Sequence, residues 1–150
     1  MEKEVIISIK GKQEVGDGPA ESMELVTKGW MRRMGGVYTL AYQESEVTGL
    51  EGTLTTIKVE QEEERVTLTR VGEYNSEMVF EEGSRHLSLY NTPYGAVSMG
   101  VNTRHLLAEL DDNGGCVEVD YTLEVEGAVV GRNTFQIRAK DAPAGSGLKI

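Results

Sequence analysis

Cysteine is all but missing from this chain. Cys116 stands alone among 150 residues, so no disulfide can close within the chain and no thiolate cage can hold a metal. Histidine is nearly as scarce: His86 and His105 are the whole supply, and they do not cluster with other ligands. Neither a metal nor a cofactor is therefore expected. Long apolar runs are absent as well. The opening MEKEVIISIK has three consecutive apolar residues before Ser8 and Lys10 interrupt it, too few for a signal-peptide core. No other segment approaches transmembrane length. The expected setting is the cytoplasm, with no membrane partner. Positive charge is also in short supply, with 15 basic against 25 acidic side chains and a formal net charge of −10. Such a surface repels phosphate backbones and anionic headgroups, which argues against a nucleic-acid partner. The acidic residues are spread out, apart from EQEEER at 60 to 65, which reads as a solvated turn. No internal repeat or linker divides the chain.

What is present is a regular alternation. The composition, 39% hydrophobic and 27% charged, is that of a folded globular domain. Turn chemistry recurs at short intervals: GDGP, Gly35-Gly36, TGLEG, QEEE, EEGS, NTPYG, DDNGG and EGA. Asn113-Gly114 has the residues of a type I′ hairpin turn, since both tolerate positive φ. Between the turns, residues alternate with period two. CVEVDYTLEVE sets Val117, Val119, Tyr121, Leu123 and Val125 against Glu118, Asp120, Thr122, Glu124 and Glu126. RVTLTRV, VYTLAYQES and NTFQIRAK behave alike. Roughly eight to ten strands joined by short hairpins predict an all-β protein, a single antiparallel barrel over residues 1–140. DAPAGSGLKI, residues 141–150, reads as a flexible tail.

YGAVSMGVNTRHLLAELD, residues 94–111, carries the strongest decoy. Ala-Val-Ser-Met-Gly has the spacing of a nucleophile elbow around Ser98. That motif needs a strand-to-helix turn in a mostly parallel sheet, and nothing else in the chain supplies one. The only histidine after it comes seven residues on, at His105. Alternation places Val97, Met99 and Val101 inward and Ser98 outward. NTRHLLAEL could also be a helix capped by Thr103. Its letters alternate too, however, with Arg104, Leu106, Ala108 and Leu110 on one face. A strand pairing through Asn113-Gly114 is the expectation.

Longer blocks carry a resemblance. YQESEVTGLEGTLTTIKVE, RVTLTRVGEYNSEMVFEEGSRHLSLYNTPYGAVSMGVNT and LDDNGGCVEVDYTLEVEGAVVG resemble the YwiB-like family, small bacterial proteins classed as a domain of unknown function. The resemblance spans the chain to about Lys140. It implies a calycin-like, that is lipocalin-like, β-barrel in the bacterial cytoplasm. It implies no activity, so no catalytic residue carries over.

Candidate chemistry then rests on charges whose parity puts them on the core face. Glu44 and Glu46 continue the face of Tyr38, Leu40 and Tyr42. Arg70 continues that of Val66 and Leu68, and Arg85 that of Leu87 and Leu89. All four sit at strand ends, where a barrel opens, and would suit a polar headgroup whose apolar body enters the barrel. The same charges also fit plain solvation or mutual pairing. Tyr42 and Tyr121 share the core face as volume or as pocket lining. His86 falls outward beside Ser88 and Tyr90. Trp30, beside Gly29, is expected in the core or at a barrel end. Two function classes follow: a non-catalytic binder of a small, partly apolar ligand, and a protein-interaction or structural module with a filled barrel. Oligomeric state is not encoded in these letters.

Overall fold

Apolar side chains every second residue can be buried only if neighbouring strands share a face, and ten strands here do so. They are β1 (Glu2–Glu14), β2 (Glu21–Met34), β3 (Val37–Gln43), β4 (Leu54–Glu60), β5 (Arg65–Val71), β6 (Ser76–Glu81), β7 (Arg85–Thr92), β8 (Gly95–Asp111), β9 (Gly114–Val125) and β10 (Ala128–Asp141). The computed structural model describes residues 1–46, 49–73 and 75–143. One antiparallel sheet runs in the order β6-β5-β4-β3-β2-β1-β10-β9-β8-β7. All its neighbours are consecutive in the chain except β1 and β10, whose pairing joins the first and last strands, Val5 opposite Asp141. Asp141 thus belongs to the sheet, and the tail expectation for residues 144–150 lies outside the described residues. No helix among the described residues is long and apolar enough to cross a membrane.

The two ends of the sheet, β6 and β7, lie side by side, so the sheet curls into a nearly closed barrel. The seam is fastened by the β6–β7 turn. Gly83 N donates to Thr103 O at 2.9 Å, and Thr103 N donates to Ser84 O at 3.2 Å. Leu106 N donates to the Glu82 carboxylate at 2.8 Å. Closure in this way leaves little free edge to pair with other chains.

The core is the inner face read from alternation. Val5, Ile7, Leu40, Ile57, Val59, Val66, Phe80 and Val117 are fully buried, with Ile9, Val119 and Ile137 nearly so. Residues 103–110 are extended, as expected, and Leu106 pairs with Val119. The ladder slips between Thr103 and His105, a bulge that inserts Arg104. Thr103 is buried in line with Met99 and Val101, and the bulge lets Leu106, Ala108 and Leu110 resume the inner face beyond it. Arg104, expected beside Leu106, is exposed.

Three further expectations are corrected. The β8–β9 turn is Asp112–Asn113, one residue earlier than Asn113-Gly114, because Asp111 pairs with Gly114. Neither turn residue has positive φ; Gly114 at +113° and Gly115 at +146° carry that conformation instead. A Cβ on Gly114 would lie 2.1 Å from Ala139 O, so only glycine fits where β9 enters between its neighbours. Trp30 is 49% exposed on the outer wall, because its neighbour Met31 takes the inner position. On β7 the faces are reversed. Leu87 and Leu89 are 66% and 61% exposed, and His86, Ser88 and Tyr90 point inward and are half-buried. Leu87 pairs with Gly100 and Leu89 with Ser98, while β8 spends its inner face on Met99 and Val101. Cross-strand partners share a face, so both leucines must be outside.

Candidate functional site

One end of the barrel is laced shut. Tyr38 OH donates to Asp112 Oδ1 at 2.7 Å, and Arg33 Nε donates to the same oxygen at 2.9 Å. Lys3 Nζ donates to the Asp112 carbonyl. The amide of Gln61 grips Leu110 from both sides, donating to its carbonyl at 3.1 Å and accepting from its N–H at 2.9 Å. The Tyr38 bond, aided by Arg33, holds the Asp112 carboxyl below its ordinary range. The same bond, with burial, pushes the Tyr38 hydroxyl up.

At the opposite end a row of inward polar residues crosses four strands in register. Tyr42 of β3 lies opposite Thr55 of β4, Thr55 opposite Arg70 of β5, and Arg70 opposite Ser76 of β6. Glu44 extends the β3–β4 ladder by one rung, donating its N–H to Thr53 O at 2.8 Å. This rung carries the Glu44 side chain inward until only 1% of it is exposed. Thr55 Oγ1 donates to Glu44 Oε2, and Arg70 Nε stands 3.8 Å from the same oxygen. Glu44 Oε1 and Arg70 Nε are buried with no hydrogen-bond partner.

Tyr42, Glu44 and Arg70 line a cavity of about 740 Å³, together with Ile9, Met23, Phe135 and Tyr121 of the facing wall. Two of these rings pack on the buried Phe80. Phe80 meets Tyr121 at 4.9 Å and Phe135 at 5.5 Å between ring centroids, tilted or edge-on as ring quadrupoles prefer. Burial, reinforced by the Glu44 charge, pushes the Tyr42 hydroxyl far up, and burial raises that of Tyr121. Arg70 opposes both shifts, which places its charge within reach of both hydroxyls. A smaller cavity of about 130 Å³ on the seam side shares Arg70 and is bounded by Thr53, Ser76 and Tyr90.

The structure therefore brings together Tyr42, Glu44, Arg70 and Tyr121 and separates Glu46 and Arg85 from them. Glu46 lies beyond the end of β3 and is exposed, so strand parity no longer governs it. Arg85 is on the outer wall with its side chain 44% exposed. It grips Glu124 through Nη2 at 2.9 Å and Nε at 3.2 Å. The error follows from the reversal of β7. Thr55 was missed, although it continues the face of Ile57 and Val59 as Arg70 continues that of Leu68. Ser98 is on the outer face opposite Leu89, and its N–H donates to Glu126 Oε1 at 3.1 Å. His86, expected outward, lies at the seam with Nε2 2.6 Å from Glu81 Oε1. Among the described residues no group of histidine, cysteine or acidic side chains could hold a metal ion.

The family model described as a domain of unknown function (DUF1934) matches residues 7–137. The crystal structure of the ywiB protein from Bacillus subtilis is similar over 95% of this chain and 94% of its own, with a TM-score of 0.81 and 22% identity. At that identity the likeness establishes the barrel fold. No curated protein matches the chain.

Proposed function

The chain belongs to the DUF1934 family of domains of unknown function, and we propose that it is a non-catalytic binder of a small, partly apolar ligand. The ligand enters the open end, its polar head against Glu44 and Arg70 and its apolar body against Met23, Phe135 and Ile9. The observation that carries this reading is the pair of buried, partnerless atoms, Glu44 Oε1 and Arg70 Nε, beside a cavity of about 740 Å³. A buried polar atom without a partner costs about 1–3 kcal/mol, a cost that a ligand completing the hydrogen bonds removes. The volume lies within the range of about 300–1,000 Å³ typical of small-molecule sites. The other expectation, a protein-interaction module, calls for an interior filled by side chains, which such a cavity does not favour. The acidic surface and single cysteine suit a cytoplasmic role away from nucleic acid.

Backbone amide NMR titration with a panel of short-chain amphiphiles tests the reading. A binder is expected to shift the resonances of Tyr42, Thr55, Arg70 and Tyr121 in a saturable way. Absence of any saturable shift at millimolar concentration, together with strong protection of the whole inner face, would favour the filled module.

A further inference from the structure

Building on the binding reading, we infer that the headgroup taken by this site is neutral and presents an N–H donor and a C=O acceptor side by side, as in a primary amide or a lactam, on an apolar body. The argument begins with charge. Glu44 and Arg70 form an ion pair at 3.8 Å inside the barrel, so together they leave no net charge for a ligand to neutralise. Burial of an ion without a fresh counter-charge is strongly unfavourable. Each half of the pair still lacks one hydrogen bond. Glu44 Oε1 requires a donor, and Arg70 Nε requires an acceptor.

Simple headgroups can be sorted on that basis. A carboxylate accepts from Arg70 but has no proton for Glu44 Oε1, and it brings a second negative charge beside a carboxylate that is 1% exposed. An ammonium donates to Glu44 but leaves Arg70 Nε without an acceptor and adds like charge to the guanidinium. An amide edge meets both needs at once, its N–H toward Oε1 and its carbonyl toward Nε. The carbonyl has a second lone pair, and the Tyr121 hydroxyl, a donor at neutral pH, lines the same cavity. Met23, Ile9 and Phe135 supply the apolar wall for the rest of the molecule.

Isothermal titration of the full chain with octanamide, 2-quinolone, octanoate and octylammonium at pH 7 tests the inference. The two amides separate a flexible aliphatic source of this chemistry from a rigid lactam. At least one of them is expected to bind tenfold or more tighter than octanoate and octylammonium. In Glu44→Gln the anion is gone while Arg70 remains, so octanoate should overtake octanamide. The wild-type ranking decides even if that variant folds poorly. Octanoate or octylammonium binding tightest to the wild type overturns the headgroup inference and leaves the binder reading standing. An unchanged ranking in a folded Glu44→Gln overturns it too. Failure of all four to bind at 1 mM (of the order at which weak ligands are still seen) overturns both.

Discussion

Arg70 Nε stands 3.8 Å from Glu44 Oε2, near enough for charge attraction and too far for a hydrogen bond. The hydrogen bond to that oxygen comes from Thr55 instead. The carboxylate is thus held in place by a hydroxyl and balanced by a guanidinium that is not locked to it.

Arg70→Met should therefore destabilise the protein by about 1–3 kcal/mol, below the cost for a fully buried pair because the arginine side chain is 29% exposed. Replacing both Glu44 and Arg70 by apolar residues should cost less than Arg70→Met alone. Urea unfolding of both single variants and the double variant gives the coupling. Additivity within about 0.5 kcal/mol would mean that the two charges act independently.

Arg85→Ala should change ligand affinity by no more than about twofold and leave stability nearly unchanged, since the Glu124 pair is on the outer wall and screened by solvent. Titration of this variant beside Arg70→Met separates the two arginines that sequence parity had put together. A large affinity loss in Arg85→Ala would place the binding surface outside the barrel.

Gly29 sits where β2 parts from β3, whose pairing with it begins at Trp30. A Cβ there would come within 2.4 Å of Ile7 Cδ1 and 2.5 Å of Ala41 O. Gly29→Ala should accordingly cost about 1–3 kcal/mol by overpacking. Gly36→Ala, where a Cβ meets nothing within 4 Å, should stay within about 0.5 kcal/mol. Equal thermal midpoints for the two variants would contradict this.

Stability should fall on both sides of neutrality. The folded-state pKa of Asp112 is depressed, so its contribution is present above the ordinary carboxylate pKa of about 4 and lost as pH falls through the folded value. That of Tyr42 is raised, so its contribution is present below about pH 10 and lost as pH climbs toward the folded value. Urea midpoints measured against pH should show Asp112→Asn with a flatter acid limb and Tyr42→Phe with a flatter alkaline limb. Parallel profiles in either case would refute the assigned linkage.

Ser98 should not react with a fluorophosphonate, because it lies on the outer strand face with no histidine hydrogen-bonded to it among the described contacts. Covalent labelling at Ser98, read by peptide mass spectrometry, would revive the elbow.

By itself the sequence determined which residues alternate together, because a strand turns its side chains to opposite faces at every step and burial enforces that period. Val117 to Val125 and Val66 to Arg70 could be read correctly on this ground, as could the absence of a helix between Thr103 and Leu110. Which of the two faces looks inward is not local information. On β7 it was decided by register with β8, where Met99 and Val101 had already taken the inside, and the apolar Leu87 and Leu89 were left out. On β8 it was decided by one inserted residue, Arg104, which let Thr103 and Leu106 share a face that strict alternation denies them. The site is likewise a product of register. Tyr42, Thr55 and Arg70 are neighbours only because two hairpins align them, and Tyr121 meets them only because the sheet curls back on itself. Strand pairing over such separations is set by closure of the whole barrel, and that closure belongs to the tertiary structure.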